Sequence, residues 1–106
     1  MKKVFLDDVR EAPPGWVRAC WPAEVIDLLK TGQVDALSLD HDLGDDARGT
    51  GYDVLVWLEA AVCTEGFMPP ARITVHSANS PARKRMQAAI AAIERLHLAR
   101  ETGQKK

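Results

Sequence analysis

Acidic side chains recur directly after short apolar runs. Asp7 and Asp8 follow Val4-Phe5-Leu6, Asp40-His41-Asp42 follows Leu37-Ser38-Leu39, and His76, Ser77 and Asn79 follow Ile73-Thr74-Val75. Carboxylates gathered at one point cannot all stay ionised unless a cation joins them. Hard divalent cations prefer oxygen donors, and magnesium characteristically takes one or two carboxylates, several waters and a phosphate oxygen. An acid at a strand end also serves as a helix cap or a loop acceptor, which would suffice for one such pair. Two acidic clusters ending separate strands point to a shared ion instead. Asp7, Asp8 and Asp40 are the expected ligands, with Mg2+ or Mn2+ as the expected ion.

Other residues suit a phosphate group beside that ion. Arg10 follows the first acidic pair and could grip phosphate through two parallel hydrogen bonds. Ser77 and Asn79 follow the last strand, and Arg83, Lys84 and Arg85 lie just beyond, with Arg83 assigned to the site. The run Gly49-Thr50-Gly51 presents backbone amides at a helix start, a weak anion signal that turn chemistry explains equally well. His41 and His76 are candidate proton carriers, Asp42 a further ligand or base, and Asp40 a ligand or a direct nucleophile. Asp45 and Asp46 are expected to face solvent.

The elements that position these residues follow from periodicity and punctuation. Residues 3–7 (KVFLD) read as a strand, with Pro13, Pro14 and Gly15 in the loop after it. Residues 16–20 (WVRAC) read as a short second strand. Pro22 suits a first helical turn, Val25, Ile26, Leu28 and Leu29 give a helical apolar face, and Gly32 lies past its end. Residues 36–40 (ALSLD) form a third strand. Thr50 and Asp53 have capping-box spacing for a helix ending before Gly66, with Leu55, Leu58 and Val62 as its buried stripe. Residues 72–77 (RITVHS) form a fourth strand. Ser80 as cap and Pro81 open a last helix whose core face is Met86, Ile90 and Ile93. After His97 a polar, mobile tail of residues 98–106 is expected, leaving 1–97 as one domain.

Strands alternating with helices indicate a parallel sheet with right-handed crossovers. If the second strand ran antiparallel, only Gln33 to Asp35 would remain to bring the chain back across the sheet, which is too short. Buried parallel strands normally read as continuous apolar runs, but these alternate. Val4 and Leu6, Leu37 and Leu39, and Ile73 and Val75 would share one face. Lys3 and Phe5, Ala36 and Ser38, and Arg72 and Thr74 would share the other. One face is expected to lie under helices and the other to be thinly covered.

The chain has 106 residues, 46% hydrophobic and 27% charged, with a formal net charge of −1. That is the length and composition of one globular domain, with no overall field that advertises nucleic acid or an anionic membrane. Charge is unevenly spread, with 13 acids against 7 bases up to Asn79 and 7 bases against 2 acids from Ser80 onward. The apolar run after Met1 is too short for a signal peptide, and no stretch approaches the ~20 residues that span a bilayer. Cys20 and Cys63 lack metal spacing and suit reduced thiols, so a cytoplasmic setting is expected.

This arrangement resembles the receiver domains of two-component signalling. Asp7-Asp8 looks like their acidic metal pair, Asp40 like the phosphate-accepting aspartate, and Ser77-Ala78 like their hydroxyl-plus-alanine switch. WVRACWPAEVIDLL and GTGYDVLVWL resemble the second strand with its helix and the helix after the phosphorylation site. Two parts of a receiver are missing: the helix between the acidic pair and the second strand, and the fifth strand with its lysine and final helix. In a receiver the first and last helices cover one sheet face, so their loss agrees with the alternating strands. The combination LDDVR, LSLDHDLGDD, GTGYDVL and VHSAN is similar to a divergent branch, the cyclic-phosphate processing receiver domains. That resemblance implies a truncated flavodoxin-like α/β fold, with about four parallel strands ordered 2-1-3-4 and helices mainly on one face.

It also implies metal-dependent hydrolysis of a small cyclic phosphate, in RNA repair or nucleotide-derivative metabolism. The alternative is a non-catalytic phosphoacceptor or phosphate-binding signalling module. An Asp-x-Asp phosphatase is disfavoured, because Gly44 stands where that motif wants a threonine. The expected partner is a small phosphorylated molecule rather than a membrane or nucleic acid. A bared sheet face or the edge of the fourth strand could seed a homodimer.

Overall fold

A computed structural model describes residues 2–42 and 49–101. The elements run β1 (Lys2–Leu6), β2 (Val17–Ala19), α1 (Pro22–Lys30), β3 (Val34–Leu39), α2 (Gly51–Glu65), β4 (Arg72–Val75) and α3 (Ser80–Glu101). The four strands form one parallel sheet in the order β2-β1-β3-β4. No helix among the described residues is long and apolar enough to cross a membrane.

Topology explains which face the helices take. The steps from β2 to β3 and from β3 to β4 both travel the same way across the sheet. Right-handed crossovers therefore put α1 and α2 on the same side, and α3 packs against α2 there. The step from β1 to β2 runs the other way, and no helix lies in it. Val4, Leu6, Leu37 and Leu39 are fully buried on the helical side. They meet Val25 and Leu29 of α1, Leu55, Leu58 and Val62 of α2, and Met86, Ile90 and Ile93 of α3 in one cluster.

Among the described residues, the other face is covered by neighbouring side chains and no helix. The Phe5 ring stacks on His76 at a centroid distance of 4.2 Å and meets Trp16 edge-on at 6.3 Å. These contacts leave Phe5, Ala36 and Ser38 at most 8% exposed, so the centre of the thin face is buried without a helix. Lys3, Arg18, Arg72 and Thr74 around it are exposed.

Helix ends follow local chemistry. α1 has Trp21 at its N-cap, and an indole cannot accept a hydrogen bond. The Glu24 carboxylate instead accepts from the Cys20 and Trp21 amides at 2.8 and 3.0 Å. In α2 the Thr50 amide donates to Asp53 at 2.8 Å, while Gly66 ends the helix in the left-handed region at φ 68°. α3 differs from the expected start. Asn79, not Ser80, is the cap, its carboxamide oxygen accepting from the Ala82 amide at 3.1 Å. The same helix continues to Glu101, so Leu98 to Glu101 extend it where a tail was expected; 102–106 lie outside the described residues.

Gly51, the first residue of α2, lies against the main chain at the end of β3. A methyl group there would collide with the Asp40 carbonyl oxygen and sit 2.9 Å from the Asp40 carbonyl carbon. Alanine is the better helix former by ~1 kcal/mol, so propensity alone makes Gly51→Ala stabilising. The close approach reverses the sign. Urea denaturation of Gly51→Ala is expected to show a loss of about 1–3 kcal/mol, the usual range for overpacking.

Candidate functional site

Register and side-chain alternation assemble the site. Leu6, Leu39 and Val75 are matched across β1, β3 and β4. The pairing runs one residue further, because the Asp40 amide donates to the Leu6 carbonyl at 3.1 Å and the His76 amide to the Leu39 carbonyl at 2.9 Å. Asp7, Asp40 and His76 are thus consecutive members of one row. Successive side chains on a strand point to opposite faces, so all three fall on the helix-free side. One ligand atom from each lies within 4.8 Å of the other two.

Asp8, expected as a ligand, is not in this group. It stands one residue past Asp7, in the bend that follows β1. His76, expected only as a proton carrier, stands with Asp7 and Asp40 there instead. The set is two carboxylates and an imidazole, a combination that fits a divalent cation.

The surroundings give these groups different charge states. Asp7 is 1% exposed. Burial opposes its ionisation, but the Arg10 and Val9 amides, each donating to Oδ1 at 2.8 Å, and the His76 ring hold its carboxyl below the ordinary aspartate range. Arg18 Nε secures the Asp7 carbonyl at 3.0 Å. Asp40 behaves oppositely, since burial and the neighbouring Asp7 charge raise its pKa. Two adjacent carboxylates pushed apart in this way are a charge imbalance that a cation would relieve.

His76 is held on three sides. Phe5 lies flat against its ring, Nε2 is 3.1 Å from Asp7 Oδ2, and Nδ1 is 2.7 Å from Ser38 Oγ. The ionised Asp7 can only accept, so a neutral ring carries its hydrogen on Nε2 and takes one from the Ser38 hydroxyl. Ser38 and Phe5 went unrecognised as site residues from sequence. The available signal was a lone hydroxyl in mid-strand on the same face as His76.

A second group forms the rim. His41 Nδ1 is 2.8 Å from Asp42 Oδ1, and Asn79 Nδ2 approaches the same oxygen at 3.4 Å. The His41 hydrogen bond, more than that of Asn79, keeps the Asp42 carboxyl below its usual range. Other expected phosphate ligands are engaged with the main chain. Arg10 Nη1 donates to the His76 carbonyl at 3.2 Å, with Nε 3.9 Å from Asp7, and Arg83 Nη1 donates to the Ser77 carbonyl at 3.1 Å. Ser77 is 3% exposed and accepts the Asn79 amide. In Gly49-Thr50-Gly51, the Thr50 amide serves Asp53 and the Gly51 amide the His41 carbonyl, so two of the three amides are committed. Asp45 and Asp46 lie outside the described residues.

Residues 2–92 match the family described as the cyclic-phosphate processing receiver domain. The match spans most of the chain, which therefore belongs to that family. No curated protein and no solved structure matches significantly.

The opposed shifts of Asp7 and Asp40 make a pH prediction. A carboxyl whose folded pKa is raised destabilises the fold when ionised. Its removal gains stability in full above the folded pKa and gains nothing well below the unfolded value of 3.8. Metal-free Asp40→Asn is expected to melt above the parent protein at pH 7, with the gap closing below pH 3.8. One kcal/mol moves the midpoint of a 100-residue domain by roughly 4–8 °C, so calorimetry resolves the difference. Asp7→Asn shifts the midpoint the other way, because a depressed carboxyl stabilises above its unfolded pKa and loses that contribution as pH falls through the folded one.

Proposed function

We propose that this protein hydrolyses a small cyclic phosphate with a divalent cation, Mg2+ or Mn2+, held by Asp7 and Asp40. The observation that carries the reading is the row of Asp7, Asp40 and His76 at the carboxyl ends of parallel strands, where open α/β sheets bind ligands. The family description, cyclic-phosphate processing, supports the substrate class of this reading.

Each residue has a role suited to its surroundings. Asp7, whose carboxyl is held below the ordinary aspartate range, is the anchor, buried and fixed by two amides. Asp40 completes the cation's carboxylate pair, and its reluctance to ionise alone makes it responsive to the cation. Bound there, the ion would neutralise charge on the phosphoryl oxygens and lower the pKa of water. The His76 imidazole is the proton carrier, taking a proton from the water that adds to phosphorus and passing one to the ring oxygen that leaves. Ser38 keeps the imidazole aligned for that transfer. Arg10, more than half exposed at the edge of the row, can turn from the His76 carbonyl towards a phosphate. His41, Asp42 and Asn79 form a hydrogen-bonded group just past the ends of β3 and β4.

The assay is turnover of 2′,3′-cyclic and 1″,2″-cyclic phosphates with Mg2+ or Mn2+. Asp40→Asn and His76→Ala are expected to lose measurable turnover, and chelation to abolish it. Ser38→Ala should cost about 10- to 100-fold, as loss of a group orienting a site residue commonly does. The cation alone should raise the melting midpoint, by the equivalent of ~2.7 kcal/mol at a hundred times its dissociation constant. Asp7→Asn should remove that rise. No turnover, but stable labelling of Asp40 by acetyl phosphate, would replace this reading with the phosphoacceptor one.

A further inference from the structure

Among the described residues, no strand pairs with the outer edge of β4. The His76 amide reaches back to β3, so by alternation the backbone groups of Arg72 and Thr74 also face β3. Those of Ile73 and Val75 point outward, and among the described residues no other segment takes them up. Natural edge strands are commonly blunted by proline, a bulge, an inward charge or extreme shortness. The opposite edge, β2, has only three residues, Val17–Ala19. β4 carries no proline, and its pairing with β3 is regular throughout. Beside it, on the helical side, is a groove of about 340 Å3 lined by Ile73, Thr74, Val75, Gln87 and Ile90.

We propose that two copies of this chain join through their β4 edges, antiparallel, about a twofold axis at Thr74. The pairing extends the sheet across both copies and sets Arg72 of each protomer beside the other's site. One register does this. Ile73 opposite the partner's Val75 forms a hydrogen-bonded pair, and the twofold axis repeats it. Four bonds then consume all the outward amides and carbonyls of both strands. Thr74 meets the partner's Thr74 at the closer, non-hydrogen-bonded position, on the exposed face, where a threonine pair is favourable.

Charge selects a second copy over an unrelated strand. β4 begins with a cation, Arg72, and leads into the row holding Asp7 and Asp40. Antiparallel pairing brings the unlike ends together. Two residues from the axis, Arg72 lies opposite the partner's His76 on the helix-free face, where opposed Cβ atoms are about 4.5–5.5 Å apart. Each site thereby gains a guanidinium from its neighbour, beside the cluster where phosphate is proposed to bind. That last consequence rests on the phosphate reading; the pairing itself does not.

Sedimentation and light scattering of the full chain are expected to give twice the monomer mass at micromolar concentration. Thr74→Lys, which sets like charges across the axis and leaves the β3 ladder intact, should give a folded monomer with an unchanged circular dichroism spectrum. Mild oxidation of Thr74→Cys should yield a covalent dimer whose linkage maps to position 74. Ile73→Cys should not cross-link to itself, since those positions are offset beyond disulfide reach, and neither should the parent chain through Cys20 or Cys63. A monomer at every concentration, a dimer that survives Thr74→Lys, or cross-linking at 73 instead of 74 would overturn the proposal. Calorimetry with Mg2+ and inorganic phosphate tests the cross-subunit residue. Arg72→Gln should weaken phosphate binding about tenfold in the dimer and not at all in the Thr74→Lys monomer. Equal weakening in both would overturn the contribution of Arg72 across the interface. Absence of phosphate binding in every form would instead refute the site reading, with the dimer still judged by mass and cross-linking.

Discussion

Everything at this site depends on the lateral register of three parallel strands. Asp7, Asp40 and His76 are far apart along the chain, yet the ladder that matches Leu6 with Leu39 and Val75 continues one step and sets them side by side. A slip of one residue in β3 would flip its side chains to the opposite face, turning Asp40 towards the apolar layer and Leu39 out of it. The hydrophobic pattern that buries Val4, Leu6, Leu37 and Leu39 under the helices is therefore what aligns the polar row. Core packing and site geometry are set by the same constraint.

The polar row works against the stability that positions it. Two carboxylates within 4.8 Å of one another and of an imidazole are an uneasy neighbourhood without a cation. The fold tolerates it by treating them differently. Asp7 is compensated by two amides and a ring, whereas burial and Asp7 itself push Asp40 towards its neutral form. Main-chain packing holds Asp40 in place regardless, since Gly51 brings the start of α2 directly onto its carbonyl.

The absence of a helix between β1 and β2 shapes the other half of the site. Right-handed crossovers leave that face uncovered, and Phe5, Trp16 and His76 partly close it with stacked and edge-on rings. His76 is thus at once part of the thin covering layer and a member of the row. Its ring is fixed by packing on Phe5 as well as by hydrogen bonds to Ser38 and Asp7.

Much of this was legible in the residues. Strand–helix alternation and the short stretch from Gln33 to Asp35 required a parallel sheet, and the period-two pattern of KVFL, ALSL and RITV required one thin face. The acids and histidines at three strand ends marked where the chemistry lies. What only the tertiary structure decided is which of them share one point. Asp8 and His76 each belong to a strand-end cluster, Asp8 being the expected ligand and His76 only a proton carrier, but strand register brings His76 to Asp7 and Asp40 and leaves Asp8 out of that group. The same holds for Asn79, whose carboxamide caps α3, and for Arg83, whose guanidinium is taken by the Ser77 carbonyl. A side chain's chemistry is local and can be read from sequence. Its partners depend on how neighbouring strands slide and which face each residue takes, and the packed core settles both.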